Sequence, residues 1–251
     1  MLPNYHFLLG GYDLEMIEIR RLLEDNRQLF TDKKLSWGAS LEDYQDVTEA
    51  QSDHYFVGIE LTVRGTMLIP ARYFEIDHHN EKSYLPASIE QVAELLNITL
   101  TRHQQLVAAN DRGYIPAMRA MGASETEIKH IRRLDRKAQG VTDEMEAQAE
   151  ESVQKAIHKQ GVLVVETPLD KFSPIVDRLN AKKLLIYNSI TLNYYGEGVK
   201  QLSEVFKDLI SAKKAYYGGG DSGFFGTVAG AFSETELNEI IVTILNCVET
   251  D

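Results

Sequence analysis

Short apolar runs alternate with segments of helical spacing along the first 110 residues, and this alternation limits the folds that are open to the chain. The apolar, β-branched runs predict strands at 5–9, 55–63 and 68–76, the last as one strand or as two pieces broken at Pro70. Apolar residues recur every three or four positions in the segments that predict helices, 14–30, 88–96 and 101–110. Strands that alternate with helices favour an α/β fold, with a mainly parallel sheet covered by helices on both faces.

The second half of the chain begins with a polar, charge-dense stretch, 124–160, which predicts two helices with solvated faces, the second ending near Gly161. Apolar runs then predict strands at 161–165, 183–188 and 190–195. Helical spacing returns at 199–212 and 233–247. We therefore expect a first domain at 1–140, a connecting helix at 141–160 and a smaller C-terminal α/β lobe at 161–251.

The charge balance limits the partners of the chain. Its 26 lysines and arginines against 38 acidic residues give a formal net charge of -12, which argues against an extended surface for duplex nucleic acid. No apolar stretch approaches the roughly 20 residues needed to span a bilayer, so we expect no membrane partner. The single cysteine, Cys247, and an N-terminus without a positively charged leader favour a cytoplasmic protein.

Acidic residues and two histidines lie late in the predicted strands or just after them, and one acid follows the helix predicted at 101–110. They are Asp13, Glu15, Glu60, Asp77, His78, His79 and Asp111. Ligands bind beyond the carboxyl ends of the strands in an open parallel sheet, so we expect these side chains to converge. Converging carboxylates repel one another unless a cation lies between them. We therefore predict a site for one or two divalent ions, with the following ligands: Asp13, Glu15, Glu60, Asp77, His78 and Asp111.

Other roles are open to some of these residues. Asp13 can cap the helix that follows it, with or without binding a metal. Asp111 and Arg112 can form a local ion pair that shapes the turn before Gly113. Glu60 is harder to explain without function, because a carboxylate inside an apolar strand needs a partner or a metal.

The order of these acidic motifs resembles that of the DHH phosphoesterases over about the first 125 residues. The matching segments are GYDLE at 11–15, IE at 59–60, IDHHN at 76–80 and ND at 110–111. The chain departs from the family pattern in four places, one of which is Asp221, which stands where the family has a histidine after its C-terminal glycines. Leu9, Gly10 and Gly11 stand where the family has a histidine before its first motif, and Glu15 and Glu60 replace aspartates.

The resemblance implies a two-lobed hydrolase that uses manganese, or magnesium, and cleaves a phosphodiester or phosphoanhydride with metal-activated water. Substrates of this class are nucleotides, short oligonucleotides and polyphosphate. Asp77, His78 and His79 would be catalytic. Arg112 and a glycine-rich segment of the C-terminal lobe, Gly218, Gly219, Gly220, Asp221 and Ser222, would bind the substrate. The missing histidine supports an alternative: a catalytically degenerate DHH-like protein that binds a nucleotide or phosphate ligand.

Overall fold

The computed structural model of the chain describes residues 4–36, 38–50, 53–65, 68–179, 181–219 and 223–248. It divides into two compact units, Met1–Gly140 and Val141–Asp251. Among the described residues, no helix combines the length and the apolar character needed to cross a membrane.

Four parallel strands form the sheet of the first unit. They are β1 (Tyr5–Leu9), β2 (Leu29–Thr31), β3 (Tyr55–Ile59) and β4 (Tyr73–Ile76), in the order β2-β1-β3-β4. In the central pair, Tyr5 lies opposite Tyr55 and Leu9 lies opposite Ile59. The register brings the carboxyl ends of β1, β3 and β4 to one edge of the sheet.

Helices cover both faces of this sheet. They are α1 (Leu14–Asp25), α2 (Gln45–Ala50), α3 (Ser88–Leu96), α4 (Arg102–Ala120) and α5 (Glu125–Ala138). Phe7 and Val57 point to the face that packs against α1 and α3. Leu8 and Phe56, one position along each strand, point to the opposite face and pack against Leu41 and Tyr44, from a 3₁₀ turn before α2. The prediction of a mainly parallel sheet with helices on both faces is confirmed.

The strand predicted at 68–76 is observed only at Tyr73–Ile76. Two further elements of this unit end earlier than predicted, each near a residue that adopts positive φ. The helix predicted at 14–30 ends at Asp25; Asn26 caps it, Arg27 has a φ of 54°, and Leu29 belongs to the edge strand β2. The strand predicted at 55–63 ends at Ile59, because Glu60 has a φ of 52°. A left-handed residue leaves the extended path and ends regular strand pairing.

The second unit contains a six-stranded sheet with short helices around it. Its strands are β5 (Ile157–Lys159), β6 (Val162–Glu166), β7 (Lys183–Tyr187), β8 (Leu192–Gly196), β9 (Ala215–Gly218) and β10 (Phe224–Thr227). Its helices are α6 (Asp143–Gln154), α7 (Ser173–Val176), α8 (Val199–Val205), α9 (Lys207–Ser211) and α10 (Glu234–Val248). The sheet order is β5-β6-β7-β8-β10-β9; β6 and β7 are parallel, and the other described neighbours are antiparallel.

The segment predicted as a connecting helix, 141–160, is helical in its first part. Helix α6 ends at Gln154, and Ile157–Lys159 then pairs antiparallel with β6. The reversal uses Gln160 and Gly161, both at positive φ, which fits a tight hairpin turn. The connecting-helix prediction is therefore wrong for residues 155–160.

Candidate metal centre

The predicted ligands come from four places around the carboxyl edge of the first sheet. Asp13 and Glu15 lie at the start of α1, and Glu60 directly follows β3. The triplet from Asp77 to His79 follows β4, and Asp111 lies in α4. The backbone N–H of Glu60 donates to the carbonyl of Ile76 at 2.8 Å, which holds the ends of β3 and β4 together.

His78 stands at the centre of this cluster and is buried. Its Nε2 atom lies 2.6 Å from Oδ2 of Asp111, 3.4 Å from Oε2 of Glu15 and 3.8 Å from Oε1 of Glu60. Three carboxylates from separate elements therefore surround one imidazole nitrogen.

These four atoms share a second property. Oε2 of Glu15, Oε1 of Glu60, Nε2 of His78 and Oδ2 of Asp111 are buried, and beyond their ion-pair contacts with one another they have no assigned hydrogen-bond partner among the residues that the structure describes. Buried polar atoms are normally satisfied by a protein group, a water or an ion. Oxygen and imidazole donors that converge in this way fit a divalent cation.

Four residues can offer ligand atoms at one point: Glu60, His78, His79 and Asp111 each have one such atom, all within 4.8 Å of one another. Glu15 reaches the same region through its contact with His78. Its other carboxylate oxygen accepts a hydrogen bond from the backbone of Ile89 at 3.0 Å, so the first turn of α3 holds this side chain in place.

Asp77 lies outside this four-residue group. Its Oδ1 atom is 3.0 Å from the backbone nitrogen of His79 and 3.0 Å from Nδ1 of the same ring. Lys82 lies on the other side, with Nζ 3.6 Å from Oδ2 of Asp77. A carboxylate that binds one nitrogen of a histidine fixes the ring and leaves the second nitrogen for a ligand. In this structure Asp77 therefore orients His79.

Asp13 caps helix α1: its Oδ1 accepts a hydrogen bond from the backbone N–H of Met16 at 2.8 Å. Burial raises the pKa of Asp13 to about 6, and the negative charges of Asp111 and Asp135 add to this effect. The carboxylate is thus close enough to the cluster to sense its charge, in addition to its role as a cap.

The pKa values of the cluster show how its charges compete. The pKa of Glu15 is raised to about 7 and that of Glu60 well above its usual value; burial is the main cause in both, and neighbouring acids contribute. Burial lowers the pKa of His78, but contacts with Asp111 and Glu15 outweigh it and raise the pKa to about 10. A cation at this point would replace the protons that the metal-free cluster retains.

Among the predicted substrate-binding residues, Arg112 belongs to the first unit and the glycine-rich segment to the second. Nη1 of Arg112 lies 3.3 Å from Oε2 of Glu90 in α3, in an exposed ion pair. Gly218 ends β9, and Gly219 follows it with a φ of 79°. Gly220, Asp221 and Ser222 lie outside the described residues. A substrate-binding role for these residues stays a prediction.

Sequence reasoning missed several buried polar residues beside the cluster. Ser88 is fully buried at the start of α3, and its hydroxyl is close enough to Glu60 to oppose the rise in the pKa of that carboxylate. Arg132 and Asp135 of α5 are buried as well, although a charged stretch predicts a solvated face. The signal was present: Ile128, Ile131, Arg132 and Asp135 follow helical spacing and share one face.

No protein-family model matches the chain, and the comparison with curated proteins finds no significant match. Among solved structures, the chain is similar to the DHH domain of a member of a family of ribosomal proteins, at 11% identity and a TM-score of 0.44, over 94% of this chain and 73% of that one. It is also similar to exonuclease RecJ bound to manganese, at 9% identity and a TM-score of 0.40, over 96% and 90% of the two chains. A third similar structure is RecJ in complex with Mn²⁺ from Thermus thermophilus, at 11% identity and a TM-score of 0.35, over 96% and 51%.

Proposed function

We propose that this protein is a metal-dependent phosphoesterase of the DHH type, which hydrolyses a phosphodiester or phosphoanhydride. One observation carries the proposal: three carboxylate oxygens converge on one imidazole nitrogen, within 2.6–3.8 Å of it, in a buried part of the first unit. The order of the motifs around this cluster resembles the family in which such sites cleave phosphate esters.

The ligands that we propose are Glu60, His78 and Asp111, with Glu15 beside them. Glu15 and Glu60 reach one methylene further than aspartate would, so the backbone of α1 and β3 can lie further back. Mn²⁺ suits this set, because it accepts both carboxylate and imidazole donors, and Mg²⁺ is the second ion to test. When bound, a divalent ion would act as a Lewis acid toward water and phosphoryl oxygens.

His79 is the residue that we propose to contact the substrate. Its side chain is 40% exposed, whereas that of His78 is 5% exposed. Asp77 binds Nδ1 of His79 and so presents Nε2 to a ligand. A hydrogen bond from this ring to a phosphoryl oxygen would stabilise the negative charge that develops during hydrolysis. Arg112 and the glycine-rich segment from Gly218 to Ser222 are the proposed contacts for the rest of the substrate.

The alternative function is ligand binding without hydrolysis, and the start of the first motif favours it. Leu9 is fully buried in the apolar core. A Cβ atom on Gly10 would lie 2.4 Å from the carbonyl oxygen of Ile59, so no side chain fits there without a shift. A histidine ligand at either position would therefore require a different local packing.

Hydrolysis assays with added metal test the proposal. We would measure turnover of bis(p-nitrophenyl) phosphate and of pyrophosphate with Mn²⁺, with Mg²⁺ and with EDTA. The expected result is turnover that requires metal and is abolished in His78→Gln. His158→Gln serves as the matched control, because His158 lies on the exposed strand β5.

Three outcomes separate the possibilities. Metal-dependent turnover that His78→Gln removes and His158→Gln keeps would support the phosphoesterase. Binding of Mn²⁺ and thermal stabilisation by a nucleotide, without product, would favour the alternative. Absence of metal binding in the wild-type protein would contradict the phosphoesterase, and absence of stabilisation by a nucleotide or phosphate ligand as well would contradict the alternative.

A further inference from the structure

A pair of buried charged residues lies on α5, outside the proposed ligand set. Arg132 is 4% exposed and Asp135 is 7% exposed. Charged side chains are almost never buried to this extent unless they are paired. Nη1 of Arg132 forms an ion pair with Oδ2 of Asp135, and Nε2 of Gln139 lies 3.2 Å from the other oxygen of that carboxylate.

Arg132 also contacts α4 on both sides of Asp111. Its Nη1 atom donates to Oδ1 of Asn110 at 2.9 Å, one residue before Asp111. Its guanidinium carbon lies 4.0 Å from the ring centroid of Tyr114, three residues after Asp111, which is a close cation–π contact. A single side chain from α5 thus holds residues on either side of a proposed metal ligand.

The backbone of α4 explains why such contacts matter at this position. The helix is broken at Gly113 and Tyr114, where φ and ψ are −165° and 22°, then 60° and −148°. In an unbroken helix, successive backbone hydrogen bonds would hold the turn that contains Asp111. Here the turn ends directly before the break, so contacts from another element must restrict it.

We propose that Arg132 is a positioning residue: by holding Asn110 and Tyr114, it keeps the carboxylate of Asp111 against Nε2 of His78. This inference rests on the proposed metal centre, since its effect is on a ligand of that centre. Asp135 balances the charge of Arg132 and, through its contact with Nη1, helps to fix the direction of the guanidinium plane.

Binding of Mn²⁺ to three variants of the full chain tests the role of Arg132. In Arg132→Lys the charge remains but the planar group is lost. In Arg132→Met/Asp135→Leu both charges are removed, because replacing a buried ion pair by apolar residues often keeps the fold stable. Arg119→Met is the matched control: Arg119 pairs with Glu125 between the same two helices, beyond the break, and both side chains are exposed.

We would measure the dissociation constant of Mn²⁺ by calorimetry, the electron paramagnetic resonance spectrum of bound Mn²⁺, and thermal unfolding of the metal-free proteins. We expect Mn²⁺ affinity to fall about 10- to 100-fold in both Arg132 variants, the range typical of lost support for a ligand. We also expect an altered resonance spectrum in folded protein, whereas Arg119→Met keeps the wild-type affinity and spectrum.

The outcomes distinguish the positioning role of Arg132 from the metal centre itself. Wild-type affinity and spectrum in folded Arg132→Lys and in the double variant would overturn the positioning role and leave the metal centre intact. If the double variant does not fold, Arg132→Lys decides alone. No Mn²⁺ binding by the wild-type protein would overturn the proposed function and, with it, this inference.

Discussion

Oδ2 of Asp111 lies 2.6 Å from Nε2 of His78, although one residue belongs to α4 and the other follows β4. The contact is an ion pair that is buried on the histidine side. Glu15 and Glu60 approach the same nitrogen from two further elements. This relationship joins separate acidic motifs into one site.

Asp111→Asn removes the charge but keeps the shape of this contact. We expect Mn²⁺ affinity to fall by at least about 100-fold, the upper end of the range for lost support of a ligand, because a ligand itself is changed. The pKa of His78 should fall from about 10, since the contact with Asp111 is one of the two that raise it. Calorimetry and NMR titration of the histidines measure both effects. Asp25→Asn, at the exposed end of α1, should change neither; an unchanged affinity in Asp111→Asn would contradict the ligand role.

The stability of the metal-free protein should fall as pH rises from 5 to 9. The pKa values of Asp13 and Glu15 are raised from 3.8 to about 6 and from 4.5 to about 7, so stability present at lower pH is lost as each group ionises. The raised pKa of His78 acts in the same direction between 6.5 and about 10. Melting temperatures in EDTA across this range measure the effect. A rising or flat profile would contradict the assigned shifts, and added Mn²⁺ should oppose the fall.

Two substitutions separate the capping role of Asp13 from a metal role. Asparagine is as good an N-cap as aspartate and carries no charge to bury, so the free energy of unfolding of Asp13→Asn should be no lower than that of the wild type, whereas Asp13→Ala should lose about 1 kcal/mol relative to Asp13→Asn. If the charge of Asp13 also serves the metal, Asp13→Asn should bind Mn²⁺ roughly 10-fold more weakly. Denaturant titration and calorimetry measure these quantities. Equal Mn²⁺ binding by Asp13→Asn and the wild type would leave Asp13 as a cap alone.

Gly10→Ala tests the close approach of Gly10, directly after β1, to the backbone of the proposed ligand Glu60. The new Cβ would lie 2.4 Å from the carbonyl oxygen of Ile59 and 2.8 Å from that of Glu60, so the backbone must shift. We expect a loss of about 1–3 kcal/mol of stability, typical of overpacking, together with weaker Mn²⁺ binding.

The control for this change is Gly122→Ala. A Cβ there meets no atom within 4 Å, but its φ of 71° is strained for alanine. It should lower the melting temperature without changing Mn²⁺ affinity. Equal loss of affinity in both variants would show that general destabilisation, rather than the position of Glu60, is responsible.

Much of the first unit could be predicted from hydrophobic periodicity, because its strands are buried and its helices are amphipathic. The strand at 5–9 and the helix at 88–96 match the observed bounds. The edge strand Leu29–Thr31 could not be separated from the helix before it, because three residues carry too little periodic signal. The turn at Arg27 depends on a positive φ, which an arginine in the sequence does not predict.

The convergence of Glu60, His78 and Asp111 could be predicted, because each was expected near the end of a strand or helix. The different environments of Asp77 and His78 were not predicted, although neighbouring side chains alternate in direction along extended backbone. His78 is buried in the cluster, while Asp77 turns to His79 and Lys82. The burial of Arg132 was missed for another reason. The charged residues around it predict a solvated helix face, and its burial depends on how α5 packs against α4.

The most direct test is an anomalous-scattering map collected at the manganese edge from crystals of the protein soaked in Mn²⁺. We predict a peak that lies between the carboxylates of Glu60 and Asp111 and the imidazole of His78. The absence of a peak among these three side chains in well-ordered crystals, or manganese bound at other residues alone, would contradict it.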